Sequence, residues 1–507
     1  MNKPSARRAA LWPLLLIWVT GAYAQSPSPL PYEALSEASF AQTLVQRNLE
    51  LRYAKRSVDV AAALAAGESG VYEPVVFGTI RHTDTERQRS VEEVAANIFA
   101  NSESQLDEES RLLELGVKGR TGWGGDLSLS AQRAERKSNV LLDSGTELEV
   151  STGLALSYRQ PLARGRGATA VETDWRVARL EAQATRWQYR QQLQKIVAEG
   201  LSLFWQVETA DRIVAARERL ATLAGWLVDA GRERVAAGKL APLAVSELSR
   251  DLAARRSELL RAEQTRDELR LRMMSNLNAG SEQMHDLRLT ARYGDSQAPA
   301  LVTLDQALAL WAPYQVALLR RAQGQLRLAY AENQAMPAAD LVMTHRQTGL
   351  ADSNGAWELA KGNRFPEWSV GLTVELGAWG ERRAVAQQIA QQERVRQSAT
   401  EMEAISGAFR NDWFTRQQAW SRAQQEIKLL RDDVQGRWDV WQAERQRQAQ
   451  GLSGQSMVWM AEQDWWDSQV RLLDAQGRAE AARLSLMLAQ GELLKQYGIN
   501  DGLYQGD

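Results

Sequence analysis

The chain has no cysteine among its 507 residues. That absence excludes a disulfide scaffold, a thiolate zinc site, a thiol nucleophile and a cysteine-borne lipid anchor. Proline is scarce, 12 in all, beside 44% apolar and 24% charged residues. This points to a folded, largely helical protein rather than a disordered one. The three histidines, His82, His285 and His345, lie far apart, so no His-rich metal or catalytic cluster is expected. Neither sign of charge dominates: Lys+Arg 61 against Asp+Glu 63 gives −2, and no basic surface for nucleic acid follows. No nucleophile–base constellation or phosphate loop occurs, so neither an enzyme nor a cofactor is expected. Long apolar runs are missing too. Nowhere does the chain hold the roughly 18 consecutive apolar residues of a membrane helix, so any membrane crossing must be made by strands.

The N-terminus carries an address. Lys3, Arg7 and Arg8 precede the apolar run Leu11–Val19, and Ala22-Tyr23-Ala24 follows. A basic region, a short apolar core and an A-x-A end make a secretory signal peptide over residues 1–24. The apolar run is about half of what a spanning helix needs. Cleavage removes three positive charges and no acid, taking the formal charge from −2 to −5. Secretion without cysteine fits a Gram-negative envelope protein. Residues 25–32, with Ser26-Pro27-Ser28-Pro29, read as an extended linker.

Strands are written in two places. Between Thr146 and Gln160, Leu148, Val150, Thr152, Leu154, Leu156 and Tyr158 alternate with Glu149, Ser151, Gly153, Ala155 and Ser157. Trp368, Val370, Leu372, Val374 and Leu376 likewise alternate with Ser, Gly, Thr and Glu. Period two with one polar face suits a water-filled membrane barrel, and equally a half-buried strand of a soluble sandwich. Weaker candidates are Val75–Arg87, Leu112–Arg120, Asp126–Arg133 and Ala339–Gln347, with the turn Thr121–Gly125 joining the middle two as a hairpin. The polar stretches 88–110 and 348–364 read as loops.

The remainder reads as helix of unusual length. No proline interrupts the chain between Gly167 and Pro242, and none follows Trp379-Gly380. Within Pro242–Asn278 the residues Leu248, Leu252, Leu259, Ala262, Leu269 and Met273 keep one face apolar. A helix over 168–236 would span about 100 Å, which suggests coiled-coil-like packing. Arg217-Glu218-Arg219 reads as a solvated face. The tryptophans of these segments (Trp175, Trp187, Trp205, Trp226, Trp413, Trp420, Trp438, Trp441, Trp465, Trp466) read as interhelical packing rather than a ligand platform.

An internal correspondence orders these parts. Phe40-x-Gln42-x-Leu44 matches Leu304-x-Gln306-x-Leu308, Pro74 matches Pro337, Leu162 matches Leu376, and Gly238 matches Gly451. Each half therefore runs helix, strands, long helix, glycine-marked turn, long helix. The first repeat covers 33–278, with strands in 75–160 and helices 168–236 and 242–278. A linker, 279–300, leads to the second repeat, 301–498, with strands in 339–376 and helices 381–449 and 455–497. A tail, 499–507, ends the chain. The first half carries an insertion between its strand regions, where the extra hairpin lies.

This plan resembles the TolC-like outer-membrane efflux proteins. The local marks are Leu156-Ser157-Tyr158-Arg159-Gln160-Pro161-Leu162 before Gly165-Arg166-Gly167, Trp368-Ser369-Val370-Gly371-Leu372, Ala237-Gly238-Lys239 and Gln450-Gly451-Leu452. The resemblance covers about residues 33–498. It implies a mainly α protein with a transmembrane β part: a homotrimer sharing one β-barrel in the outer membrane, continued by a long α-helical barrel through the periplasm. It implies a passive exit duct for small-molecule efflux, a periplasmic adaptor protein, and an inner-membrane pump reached through that adaptor. Export of a protein or peptide by a type I secretion system is the alternative within the fold, and a structural coiled-coil or adhesin of the envelope the alternative outside it. The family supplies four strands per chain and this sequence offers up to six, so the hairpin near 112–136 either widens the barrel or projects from it. Gly165-x-Gly167 lacks the third glycine of a dinucleotide fingerprint, and a tight strand-to-helix junction accounts for it better.

The resemblance places adaptor docking at the helical tips: Gly238, Lys239, Gly451 and Leu452. Family members carry acidic residues six and nine positions after the second tip glycine. Here those positions are Met457 and Met460, and the first-half equivalents are Ala244 and Glu247. The expected aperture set is therefore Glu247, Met457, Met460 and Asp464, with the methionines forming an apolar constriction or else packing in the helical wall. Glu462, Asp464 and Asp467 lie nearby at other helical angles and are expected to face neighbouring helices instead, Asp464 being kept as an aperture candidate all the same. Mass spectrometry of the exported protein is expected to find Gln25 at the N-terminus in an outer-membrane fraction; an intact leader or a cytosolic protein would contradict this.

Overall fold

A computed structural model of the chain describes residues 34–90, 92, 105–139, 141, 147–282, 287–291, 293, 299, 302–351, 355–362, 364–377 and 381–501. The leader, the Ser/Pro linker, His285 and most of the tail lie outside the described residues.

Two helices, α1 (Glu37–Arg47) and α2 (Leu49–Glu68), break at Asn48, whose side chain caps α2. Strands β1 (Val75–Gln88), β2 (Gln105–Arg120), β3 (Asp126–Ser138) and β4 (Glu149–Pro161) follow. Next come α3 (Thr173–Ala236), of 64 residues, and α4 (Pro242–Asn276), of 35. The order then recurs: α5 (Leu304–Leu310), a break at Trp311, α6 (Ala312–Gln334), β5 (Ala338–Ala351), a short α7 (Gly355–Lys361) and β6 (Pro366–Glu375). Helices α8 (Arg382–Ala449), of 68 residues, and α9 (Gln455–Gln490) complete it. At 1.5 Å per residue α3 and α8 are about 96 and about 102 Å long. No helix among the described residues is long and apolar enough to cross a membrane.

All six strands form one antiparallel sheet in the order β1-β2-β3-β4-β5-β6. The extra hairpin therefore joins the sheet as its second and third strands. Register places Ile80, Leu115, Leu129, Leu156, Met343 and Val370, one from each strand, on a common face. All six are substantially exposed, Ile80 by 86%. The opposite face carries Thr79, Glu114, Ser128, Ser157, Thr344 and Ser369, with the Thr344 and Ser369 hydroxyls 2.6 Å apart. An apolar band thus runs unbroken across the sheet on one side only.

The stretches expected as loops are partly ordered. β2 begins at Gln105 and β5 continues to Ala351. The end of β2 beyond the apolar band carries charge, so hydrophobic alternation does not reveal it, and cross-strand ion pairs align it instead: Arg136 reaches Glu108 at 3.6 Å and Glu149 at 3.1 Å. The uncharged end of β5, Thr348-Gly349-Leu350-Ala351, is too short to show alternation and is held by pairing with β4. Within 348–364, α7 packs Ala356 and Ala360 onto β5, so close to Gly349 that a Cβ there would lie 2.0 Å from the Ala356 carbonyl. The long segments are also shorter than the patterns suggest. The first is broken at Glu172, and α9 stops at Gln490 because Gly491 turns left-handed at φ +72°.

Every strand meets the helices at the same end. There the β2–β3 turn is locked to the β4–α3 junction by the Gly167 N–H, which donates to the Trp123 carbonyl (2.9 Å), and α6 is tied to the same junction by the Gly165 N–H, which donates to Asn333 Oδ1 (2.8 Å). Gly165 and Gly167 have φ of +85° and +83°, the left-handed backbone that glycine adopts without penalty. The Tyr72 hydroxyl donates to Glu172 (2.8 Å), and this bond, with help from Arg176, holds that carboxyl below its ordinary range. Gly124→Ala is expected to destabilise this junction by more than about 1–2 kcal/mol. Gly124 has φ +89°, and its Cβ would stand 2.3 Å from the Gly165 carbonyl oxygen. Gly371→Ala, with nothing within 4 Å, is the neutral control, and thermal unfolding of the purified variants is the measurement.

Candidate functional site

The four long helices lie side by side in the order α4–α3–α9–α8. The main core joins α4, α3 and α9 at one level, in the half of their length nearer the strands. It gathers Phe40 and Leu44 of α1, Leu193, Val197, Leu201 and Phe204 of α3, Met273 and Met274 of α4, and Leu484 and Met487 of α9. At its centre Glu37 accepts from Trp205 Nε1 (3.0 Å), Arg483 (2.8 Å) and the Tyr497 hydroxyl (2.6 Å). Arg483, 1% exposed, also binds Glu480 at 2.6 Å. Burial pushes the Tyr497 phenol well above its ordinary range and that of nearby Tyr293 up to about 12. This buried network contains an acid, a base and a phenol, yet each is committed to tying the chain's N- and C-terminal segments to α3 and α9.

Beyond that core the helices run on to two turns built alike. At the end of α3 the Lys239 N–H bonds the Arg234 carbonyl (2.8 Å) and the Gly238 N–H that of Val235 (2.9 Å). At the end of α8 Leu452 bonds Arg447 (2.8 Å) and Gly451 bonds Gln448 (2.9 Å). Both are Schellman caps, and Gly238 and Gly451 take the required left-handed backbone at φ +68° and +73°. Lys239 and Leu452 are exposed beside them. The two turns stand at the same end of the molecule, since Trp226 near the end of α3 packs on Trp459 near the start of α9 with ring centroids 5.7 Å apart.

Of the aperture candidates, Met457, Met460 and Asp464 share one exposed stripe of α9, the methionines 50% and 52% exposed. Glu247 is exposed on α4, away from that stripe. Glu462 and Asp467 face the neighbouring helices. Glu462, almost fully buried, accepts twice from Arg219 (2.9 and 2.6 Å). Asp467 takes a two-pronged bond from Arg255 (both 2.9 Å), with Arg217 at 3.5 Å. The reading of Arg217-Glu218-Arg219 as a solvated face is corrected here: only Glu218 is exposed, while both arginines bridge α3 to α9. No local spacing announces these bridges, because each partner lies more than 200 residues away. The tryptophans do pack between helices: Trp441 stacks on Trp465 at 5.1 Å, flanked by Trp438 and Trp466. No group of side chains able to hold a metal ion occurs among the described residues.

The same architecture has been seen in solved structures. The outer membrane protein VceC from Vibrio cholerae aligns with a TM-score of 0.60 at 14% identity, over 90% of this chain and 96% of that one. The Campylobacter jejuni CmeC outer membrane channel gives 0.62 at 12%, over 97% and 94%. The open state of the Neisseria gonorrhoeae MtrE outer membrane channel gives 0.58 at 13%, over 90% and 89%. The fold is that of TolC-like outer-membrane channels. No protein-family model and no curated protein sequence matches the chain.

The TolC-like fold puts the methionine stripe near the strand-distant tips, where it can be tested. If copies of the chain assemble around a shared opening at these tips, Met457→Asp together with Met460→Asp is expected to raise block by multivalent cations about tenfold or more in planar bilayers, because the new carboxylates would converge there. Unchanged block in this double variant would show that the two side chains do not face the pore.

Proposed function

We propose that three copies of this chain form a passive exit duct for small-molecule efflux through the outer membrane and periplasm of a Gram-negative cell. The observation that carries this reading is the union of two surfaces in one chain. A sheet with a single apolar face of six strands continues directly into helices about 100 Å long. Lipid accepts strands only where all backbone groups are paired, so copies of the sheet must share a closed barrel.

The helices argue for the same assembly. Of its 68 residues α8 buries only Phe409, Trp413, Ile427 and Val434, and α4 buries only Met273 and Met274 of 35. Surface of this extent belongs to a wall shared between subunits. The two Schellman turns at the tips supply the docking edges for a periplasmic adaptor, through which the inner-membrane pump connects. Two internal repeats of one plan account for the pair of tips per chain. The duct performs no turnover; its chemistry is permeation down a water-filled path.

Deleting the gene is expected to raise intracellular accumulation of at least one toxic compound, and re-expression to restore export. If neither a compound nor an exported polypeptide depends on the chain, the duct reading fails.

A further inference from the structure

The sheet contains enough geometry to close the barrel on paper. Its edges are β1 and β6, each with one side unpaired within the chain. With six antiparallel strands, β1 and β6 run in opposite senses. A neighbouring copy's β1 therefore meets β6 antiparallel, as every other pair in the sheet does.

The register of that seam follows from the rows of paired residues. Starting at Val76, the partners are Val117, Leu129, Leu156, His345 and Trp368. In a closed barrel with tilted strands, the row must return to the next copy's β1 displaced along that strand. Val76 and Trp368 both lie on the apolar face, so the displacement is an even number of residues. A negative displacement leaves at most Pro366 and Glu367 of β6 with a partner, since β1 begins at Val75. With zero displacement Trp368 would face Val76, and Val370–Glu375 would overhang the start of β1.

Strand tilt narrows the choice further. Six strands spaced about 4.8 Å apart occupy about 29 Å of sheet per copy, while each residue climbs about 3.4 Å. Displacements of four, six and eight residues then correspond to tilts of about 25°, 35° and 43°, of which the last two suit outer-membrane barrels. Eight would leave the backbone of Val75 and Val76 unpaired at the lipid-facing base of β1. Six pairs every residue of β6, sets Glu375 opposite Val75 so that both strands end flush, and leaves over only Thr85–Gln88, beyond the apolar band. It also continues that band through the seam, with Val374 opposite Val76, Leu372 opposite Gly78 and Val370 opposite Ile80.

We infer that this chain forms an 18-stranded outer-membrane barrel in which β6 of each copy pairs with β1 of the next in that six-residue register. The inference rests on the trimeric duct proposed above and adds its strand number, register and width. Eighteen strands at this tilt enclose a cylinder about 34 Å across between backbones. If the β2–β3 hairpin stood outside the wall, twelve strands would give about 22 Å. The hairpin is thus a widening element, placed within the sheet between β1 and β4 and carrying its own share of the apolar band through Leu115 and Leu129.

Because the chain has no cysteine, paired substitutions report the seam without background. Thr79→Cys with Gly371→Cys joins residues that this register sets opposite each other on the polar face. Thr79→Cys with Ser369→Cys, or with Thr373→Cys, matches displacements of four and eight. Each variant is to complement a deletion strain when reduced, which shows that it folds. On oxidation the Gly371 pair is expected to form a covalent trimer at least about tenfold faster than either offset pair, whose Cα atoms lie near the limit for a disulfide. Cryo-electron microscopy of the native protein is expected to count 18 strands. Faster cross-linking of an offset pair overturns the register, and a twelve-strand wall overturns the widening role, both in a protein that light scattering still shows as a trimer. A folded monomer by light scattering overturns the trimeric reading itself, and this inference with it.

Discussion

The constraint on which the rest depends is that backbone N–H and C=O groups have no water to bond inside lipid. In this chain it acts on a six-stranded sheet whose apolar face is exposed and whose edges β1 and β6 are open. A soluble protein could cover such a face with a helix, yet the long helices here all leave from one end of the strands and lie beyond the sheet, and only the short α7 packs on it, over the far ends of β4 and β5. Most of the apolar face, and both edges, therefore have no partner within the described chain. In the duct proposed above, lipid would satisfy the face and further copies the edges. Assembly would in this sense be a condition of folding for the β part.

The change from period two to period 3.6 has to be made without losing alignment, and glycine makes it possible. At the β4–α3 junction two left-handed glycines turn the chain, and the β2–β3 turn docks against them through backbone bonds. The added hairpin is consequently held at its base by the same contacts that start the longest first-half helix. Further down, the Glu37–Arg483–Tyr497 network gathers the chain's ends around α3 and α9. One half-buried carboxylate accepts from an indole, a guanidinium and a phenol that are themselves buried, so the buried donors are satisfied. Removing any one partner would leave the others stranded in low dielectric.

Much of this was legible in the sequence, for physical reasons that also explain the gaps. Alternation in 148–158 and 368–376 revealed strands because one face must be apolar. The charged end of β2 was invisible for the same reason, since it stands beyond the apolar band and is held to β3 by cross-strand ion pairs such as Arg136–Glu108; the uncharged end of β5 is held by its pairing with β4 and by α7. Gly238 and Gly451 were legible because a left-handed cap all but demands glycine. The Arg219–Glu462 and Arg255–Asp467 bridges were not, because ion pairs across helices leave no periodic trace. Arg217 and Arg219 look like any solvated helix face until α9 is placed against them. The methionines at 457 and 460 were found only by counting from a tip glycine, and the structure places them on one exposed stripe with Asp464.

The sparse burial of α8 bears on how such a molecule resists falling apart. A helix of 68 residues with four buried side chains gains little from its own chain, whatever its propensity, since helices in proteins are stabilised chiefly by packing an apolar face. What it does have is distributed: the tryptophan stack against α9, and side-chain pairs such as Arg478–Glu426 and Arg471–Asp433 along the same seam. Exposed pairs of this kind contribute at most about 1 kcal/mol each, so they set register between α8 and α9 more than they hold the pair together. The aromatic stack concentrates the attraction instead, close to the tip and far from the main core. Between the tryptophans and the level of the main core a further apolar cluster, Ile427 and Val434 of α8 with Leu472, Ala475 and Ala479 of α9, continues the seam, so the two helices are held in register along this length by apolar contact rather than by charge.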